Sequence, residues 1–246
     1  MEQNLGGLYP QDNMDSKIQT YPRKSSYEDY HIDLNKVYYK KIINAINRFS
    51  HDPHGRLLDI GCFDGTLASQ FIDQRSVFGV EGYVEPCKRA QGKKVKAILA
   101  DLDKGLPFHS NFFDCVIAAE IIEHLYDTDF FLQEIKRVLK NKGILVMSLP
   151  NIACLSNRIK MLFGGYPRYA EYKAGGAGHI RVYTAKAIKD QLNENGFNIL
   201  SYHGCNLPLP MHNRFIPYWI KKIAIKGGNY LPGIAGQIII TCTTLS

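Results

Sequence analysis

Two glycines and a following acid are the residues whose types and spacing most clearly indicate a ligand-binding site in this sequence. In residues 57–67, LLDIGCFDGTL, an aliphatic run breaks at Gly61 and Gly65 before a helical pattern begins. Glycines in such a turn let a ligand touch the backbone. Glu81 ends the next apolar run, where an acid can accept hydrogen bonds from a ribose diol. The spacing therefore predicts a nucleoside-binding site.

The glycine spacing disfavours a bound diphosphate. A dinucleotide fingerprint needs G-x-G-x-x-G, but Phe63 stands where the middle glycine would be, and no G-x-x-x-x-G-K-[ST] run occurs. Asp59 and Asp64 add negative charge, which suits a cationic cofactor better than an anionic one. The sulfonium and ammonium groups of S-adenosylmethionine meet that requirement.

Alternating strand and helix patterns place this turn in an α/β fold. The sequence predicts strands near 56–60, 77–81, 95–99, 113–119 and 143–149, and helices near 65–74, 84–92, 128–140, 152–163 and 184–195. An apolar stripe between Tyr38 and Phe49 predicts a further helix. Residues 197–202 and 237–243 are expected to form an antiparallel pair at the sheet edge. Right-handed crossovers then bring the carboxyl ends of the parallel strands to one edge, where a ligand crevice forms.

Residues 57 to about 150 resemble the class I S-adenosylmethionine-dependent methyltransferases. The resemblance rests on the order and spacing of LLDIGCFDG at 57–65, VFGVE at 77–81, ADL at 100–102, LPF at 106–108, FDCVI at 113–117, EHL at 123–125 and LKNKGILV at 139–146. It implies an α/β, Rossmann-like, seven-stranded and mostly parallel sheet, with an antiparallel last strand and helices on both faces. It also implies S-adenosyl-L-methionine as the methyl donor.

The resemblance assigns cofactor-binding roles to residues at or just after strand ends. These residues are Asp59, Gly61, Cys62, Gly65, Glu81, Asp101, Leu102 and Glu120. Asp59 and the two glycines are implied at the methionine end, Glu81 at the ribose, and Asp101 with the Leu102 backbone at the adenine. Simpler interpretations stay open: the glycines only permit a tight turn, Glu81 is a solvated acid, and Asp101 caps a turn.

Two histidines are the candidate general bases. His124 follows the fourth predicted strand, and His179 lies in the glycine-rich segment 164–179, which is interpreted as a mobile loop facing the substrate. Arg181 is predicted to pair with a substrate anion, and Tyr166 is the second predicted substrate-binding residue. Either histidine has an alternative as a hydrogen-bonded structural residue.

The predicted function is methyl transfer to an oxygen of a sugar-like, quinone-like or lipid-linked anionic acceptor. Residues 149–151 and 178–184, LPN and GHIRVYT, are similar to bacterial and archaeal methyltransferases that act on sugars, quinone precursors and related small molecules. Two alternatives remain: an NAD-type oxidoreductase of the same fold class, and a non-catalytic protein that binds S-adenosylmethionine, a membrane or a partner. Six cysteines without C-x-x-C pairs or a Cys/His cluster predict no metal site.

Positive charge is concentrated in the last third of the chain. Residues 1–150 hold 19 Lys and Arg against 20 Asp and Glu, whereas residues 151–246 hold 11 against 3. This asymmetry favours an anionic substrate or an anionic membrane surface, with residues 215–226 as the candidate peripheral contact. A solvated basic face is the simpler interpretation. Nucleic acid is disfavoured, because no basic stripe with interleaved aromatic residues is present.

The domain organisation predicted from these patterns is simple. Residues 1–35 are interpreted as an N-terminal arm, and residues 36–246 as one domain with substrate-side insertions near 151–180 and 204–235. No apolar run approaches 18 residues and no signal-peptide pattern opens the chain. The expected location is the cytoplasm, including its membrane surface, and the sequence does not predict the oligomeric state.

Overall fold

A seven-stranded sheet forms the centre of the computed structural model, which describes residues 32–50, 52–170, 178–208 and 217–244. The strands are β1 (Arg56–Ile60), β2 (Ser76–Glu81), β3 (Lys96–Leu99), β4 (Phe113–Ala119), β5 (Leu139–Pro150), β6 (Phe197–Gly204) and β7 (Gln237–Thr244). Their order is β3-β2-β1-β4-β5-β7-β6. Neighbours among β1 to β5 pair in parallel, and β7 runs antiparallel to both β5 and β6. The predicted mostly parallel sheet with an antiparallel last strand is confirmed.

Helices cover both faces of this sheet. They are α1 (Val37–Phe49), α2 (Val84–Gly92), α3 (Thr128–Val138), α4 (Leu155–Leu162), α5 (Ala185–Glu194) and α6 (Tyr218–Tyr230). Because side chains alternate along a strand, Leu58 enters the core shared with α3 and α5, whereas Leu57 enters the core shared with α1 and α2. The strand ends are thereby held between two apolar layers.

The helix predicted over residues 65–74 is wrong in type and length. The structure has a short 3-10 helix, Ala68–Phe71, between turns. The Ser69 hydroxyl donates to the Thr66 carbonyl, an alternative to the helical backbone ladder. A Cβ at Gly65 would lie 2.9 Å from the Ala90 backbone, so α2 presses closely on this segment. Polar side chains and this close approach together favour the tighter turn.

Arg137 fastens the connection before β4 to α3. Its guanidinium donates to the carbonyls of Phe108 and Leu106 at 2.7 and 2.9 Å and forms a 2.6 Å ion pair with Glu134. We expect Arg137→Ala to lower the free energy of unfolding by about 2 kcal/mol, because it removes the charge-assisted bonds to the carbonyls of Leu106 and Phe108 and the ion pair with Glu134. Urea denaturation measures this loss. Arg137→Lys should rescue little of it, since an ammonium cannot reproduce the fork, and the exposed Gln133→Ala should stay within about 0.5 kcal/mol of the parent.

Some predictions concern residues that the structure does not describe. The N-terminal arm lies almost wholly outside the described residues, as do residues 171–177 of the glycine-rich segment and residues 209–216, which include the start of the candidate membrane contact. The domain boundaries and insertions therefore stay predictions. Within the described ranges, no helix has both the length and the apolar content that crossing a membrane requires.

Candidate active site

The glycine turn after β1 is built on left-handed backbone. Gly61 and Gly65 have φ values of 69° and 73°, and Phe63 has a φ of 48°. The N–H of Gly61 donates to the carbonyl of Val80, which ties the turn to β2. A Cβ at Gly61 would lie 2.9 Å from Ile121, so glycine is required by the turn itself.

Glu81 joins this turn to the end of β2. Its carboxylate accepts the Phe63 N–H at 2.8 Å and the Tyr83 N–H at 3.1 Å. Burial raises the pKa of Glu81, while these backbone hydrogen bonds act to lower it. A carboxylate offers about four lone-pair positions, and the N–H groups of Phe63, Tyr83 and Gly82 occupy three of them, so one remains for a hydroxyl donor. The anchoring fixes the direction in which that position points.

Asp59 and Asp64 differ in their electrostatic state. Burial, followed by the charge of Glu81, raises the pKa of Asp59 to about 8. Burial acts to raise the pKa of Asp64 as well, but hydrogen bonds from Lys93 and Thr66 lower it, and Lys93 Nζ lies 2.7 Å from Asp64 Oδ2. Asp64 is therefore neutralised within the fold. Asp59 holds a proton below about pH 8, so of these acids Glu81 is the one that can offer negative charge to a cation near neutral pH.

The raised pKa of Asp59 makes the stability of the protein dependent on pH. Between about pH 4 and pH 8 the folded state holds a proton on Asp59 that the unfolded state has lost. The free energy of unfolding contributed by this group therefore falls as pH rises through that window, by up to about 1.4 kcal/mol per pH unit. We expect Asp59→Asn to flatten this decline, as measured by denaturant unfolding from pH 5 to pH 8. An unchanged slope in this variant would contradict the assignment.

Asp101 lies at the sheet edge beyond β3. Its side chain caps the 3-10 helix Leu102–Lys104 by accepting the Asp103 N–H at 3.1 Å, and it lies 3.3 Å from Lys104 Nζ. The Ala100 N–H donates to the Glu81 carbonyl, which keeps this edge beside the ribose-side acid. The capping interpretation of Asp101 is confirmed. A contact of Asp101 and Leu102 with adenine stays a prediction.

Cys62 and Glu120 use their polar groups inside the protein. The Cys62 thiol is buried against Gly79, and its carbonyl accepts the Gly65 N–H, so this residue packs the turn. Glu120, with a φ of 54°, accepts hydrogen bonds from Ser148 at 2.9 Å and Gln237 at 3.1 Å. Glu120 thereby ties the end of β4 to β5 and β7. Its position borders the site, and its implied contact with the cofactor stays a prediction.

His124 and His179 are brought together by the fold. Their ring centroids lie 4.8 Å apart. Nδ1 of His124 lies 3.1 Å from the Gly178 carbonyl, and Nδ1 of His179 lies 3.2 Å from the Tyr169 carbonyl. A carbonyl oxygen only accepts, so each Nδ1 carries the proton, and in the neutral ring Nε2 holds a lone pair. Both imidazoles are thus held in the tautomer that a general base needs.

Glu123 completes this cluster and was not predicted from the sequence. It is only 2% exposed, and neither carboxylate oxygen has a hydrogen-bond partner within the part of the chain that the structure describes. Burial, followed by the charge of Glu120, raises the pKa of Glu123. One ligand atom from each of Glu123, His124 and His179 lies within 4.8 Å of the others. We name these three residues the Glu–His–His cluster.

The segment after residue 177 is docked on this cluster by its backbone. The N–H groups of Ile180 and Arg181 both donate to the Glu123 carbonyl at 3.0 Å. The Arg181 guanidinium donates to the Tyr126 carbonyl at 2.5 Å and lines an open cleft of about 860 Å³ between the starts of α3 and α5. Arg181 is therefore next to the candidate bases. Tyr166 is half-exposed in the connection after α4, and its role stays a prediction.

Comparisons with known proteins agree with this geometry. The family model described as a methyltransferase domain matches residues 34–202. A protein of Methanocaldococcus jannaschii is 32% identical over 121 residues, covering 49% of this chain and 56% of that protein. The human mitochondrial ubiquinone biosynthesis O-methyltransferase is 26% identical over 175 residues, covering 67% of this chain and 46% of that enzyme. The chain spans about half the length of these curated relatives.

Solved structures show the same fold at low sequence identity. A S-adenosylmethionine-dependent methyltransferase of Thermotoga maritima, described as a possible histamine N-methyltransferase, has a TM-score of 0.59 at 18% identity, covering 84% of this chain and 89% of that one. A Haloferax volcanii putative methyltransferase complex with the Trm112 activator gives a TM-score of 0.62 at 15% identity, covering 85% and 91%. Identities this low support the fold alone.

Proposed function

We propose that this chain, which belongs to the methyltransferase domain family, transfers a methyl group from S-adenosylmethionine to an oxygen atom of a small anionic acceptor. The acceptor class proposed is sugar-like, quinone-like or lipid-linked. The relatives from human and Pelagibacter ubique that carry the name ubiquinone biosynthesis O-methyltransferase support an oxygen acceptor of this kind.

The residues at the strand ends fit the methyl donor that the family implies. Glu81 retains an acceptor position suited to a ribose hydroxyl, and Asp59 lies beside it as a second buried acid. When bound, S-adenosylmethionine supplies an electrophilic methyl group on a positively charged sulfur. A buried carboxylate at Glu81 favours a cation nearby, and the sulfonium and ammonium groups provide one. Binding through Glu81, with Asp101 at the far edge, is our proposal for the cofactor site.

The paired histidines are the observation that carries the proposal of an oxygen acceptor. A hydroxyl or phenol must lose a proton as it becomes a nucleophile, so a base within reach accelerates the transfer. His124 and His179 are both held by backbone carbonyls with Nε2 as the basic atom. We propose that one of them accepts the acceptor proton while the other orients the hydroxyl. Arg181 and the basic last third of the chain would favour an acceptor that carries an anion.

Binding and turnover of the cofactor test this proposal. Calorimetric titration of the full chain with S-adenosylhomocysteine, with NADH as the parallel control, is expected to show saturable micromolar binding of the former alone. Incubation with S-adenosylmethionine and a panel of hydroxybenzoates, catechols and sugar acids should then give a product heavier by one methyl group in mass spectrometry. Binding without any methylated product across the panel would favour the non-catalytic alternative, whereas binding of NADH alone would favour the oxidoreductase.

The Glu–His–His cluster supports a second role for the same residues. A carboxylate and two imidazoles form a donor set that divalent transition metals accept. In this role the cluster would orient the acceptor hydroxyl through a cation instead of removing its proton directly. A chelator separates the two roles: activity that is lost in EDTA and restored by a divalent cation would assign the cluster to metal binding, whereas unchanged activity would assign it to proton transfer.

A further inference from the structure

The solvent-facing side of α6 is apolar, whereas the solvent-facing side of a surface helix is ordinarily polar. Trp219, Ile223 and Tyr230 are 63%, 60% and 83% exposed, and Lys226 is exposed among them. At about 100° per residue these four positions fall within a sector of about 60° on one side of the helix. The opposite side, including Ala224, is buried. The helix therefore presents an ordered apolar stripe to its surroundings.

A second apolar surface continues from α4. Residues 158–166 are all exposed, and they include Leu162 and Phe163, which are 79% and 82% exposed. The two elements adjoin at the turn after α6, because the Arg158 guanidinium donates to the Gly233 carbonyl at 3.2 Å. We name residues 158–166 together with the outer face of α6 the α4–α6 surface. Several large exposed apolar side chains on two adjoining elements indicate an interaction site.

The charges around this surface have a single sign. Residues 152–170 and 217–236 contain six Lys and Arg residues and no Asp or Glu. Lys160, Lys222 and Lys226 are among the exposed ones. Long basic side chains can keep their charges in the headgroup region while neighbouring apolar side chains enter the acyl boundary. An apolar surface whose own segments carry only cationic charged residues is complementary to an anionic lipid surface.

We propose that the α4–α6 surface docks this protein on an anionic lipid bilayer. The surface lies at the sheet edge that carries the candidate active site, because α4 follows the carboxyl end of β5 and α6 precedes the antiparallel β7. Docking therefore brings the acceptor side of the enzyme to the membrane without a spanning segment. The contact extends the predicted segment 215–226 to include α4. It depends on residues 217–230, which contain α6, and on residues 158–166.

Trp219 makes this proposal directly measurable, since it is the only tryptophan of the chain. Full-length protein is titrated at low salt with vesicles of phosphatidylcholine, with and without phosphatidylglycerol, while tryptophan emission and co-sedimentation are recorded. The expected result is a blue shift of the emission and vesicle binding only with phosphatidylglycerol, both weakened by added salt. Brominated lipid should quench the emission. If the tryptophan emission does not change on anionic vesicles at low salt, the proposal is overturned. If the emission is already blue-shifted without lipid, Trp219 is covered by another occupant, and the proposal is likewise overturned.

Two paired variants that introduce negative charge locate the contact. Leu162→Glu with Phe163→Glu, and Lys222→Glu with Lys226→Glu, are each expected to lower the vesicle partition coefficient by at least about tenfold. The control is Val84→Glu, which adds one negative charge at another exposed apolar position, after β2 and four strands away from β7 in the sheet order, and should change partitioning by less than about twofold. Circular dichroism and S-adenosylhomocysteine titration establish that each variant is folded. Equal partitioning of parent and both paired variants contradicts the assignment whatever the outcome of the methylation assay.

Discussion

Replacing Glu81 by alanine is expected to weaken binding of S-adenosylhomocysteine by at least about a hundredfold, or about 3 kcal/mol. The carboxylate is buried and oriented by the Phe63 and Tyr83 N–H groups. Its loss removes the charge-assisted acceptor proposed for the ribose diol. It also leaves the Phe63 N–H without its acceptor in a turn whose φ of 48° is already strained. Isothermal titration calorimetry of parent and variant measures the change.

Two further variants distinguish a ribose contact from a general loss of structure. Glu81→Gln keeps one oxygen acceptor and is expected to bind with intermediate affinity. Glu85→Ala removes an exposed acid from the first turn of α2, where it pairs with the exposed Lys88, and is expected to bind like the parent. Parent-like affinity in Glu81→Ala would remove this acid from the cofactor site. Melting temperatures of all three variants control for unfolding.

Replacing His124 or His179 by alanine is expected to lower kcat by about 10²–10⁴-fold while leaving the affinity for S-adenosylhomocysteine unchanged. Each ring is held by a backbone carbonyl, and the two rings lie in contact. If both serve one proton transfer, the double variant should lose little more activity than the more damaging single variant. Steady-state kinetics with the acceptor found by screening gives kcat and KM separately.

His54 provides the matched control for the histidine variants. Its Nδ1 lies 3.1 Å from the Gln74 carbonyl, which is the same kind of bond as in the candidate bases, but on an exposed turn before β1. His54→Ala should keep full activity. A rise in KM alone in the His124 and His179 variants would show that these rings bind the acceptor without accepting its proton, and unchanged kinetics in both would exclude them from the reaction.

The strands and their edge were predictable because their signals are local. The run at β1 breaks at glycines that the turn requires, and Glu81 closes β2 as its position in the sequence indicated. The helix over Val37–Phe49 was readable from its apolar spacing, since Ile42 and Ile46 are fully buried at i and i+4. Burial of both sheet faces makes such patterns strong.

The side-chain contacts inside the candidate site could not be predicted from the sequence, because they join segments that are far apart along the chain. Glu123 resembles an ordinary strand-end acid until the fold buries it beside His179. Glu120 gains its partners Ser148 and Gln237 from two other strands. Lys93, which follows the last residue of α2, forms an ion pair with Asp64 and so balances its charge. None of these pairings has a local signature, since each depends on which strands become neighbours.

The antiparallel β7 has a consequence for how the acceptor side can change. Gly204 at the end of β6 pairs with Ile238 near the start of β7, so residues 205–236 leave the sheet and return to it at nearly the same point. Closing a longer or shorter excursion between fixed ends costs little, because the entropy of a loop grows only with the logarithm of its length. Insertions into this excursion should therefore be tolerated at exposed positions such as Tyr230 and Leu231, whereas the buried Cys205, Ala224 and Ala235 hold it to the domain and have to be kept.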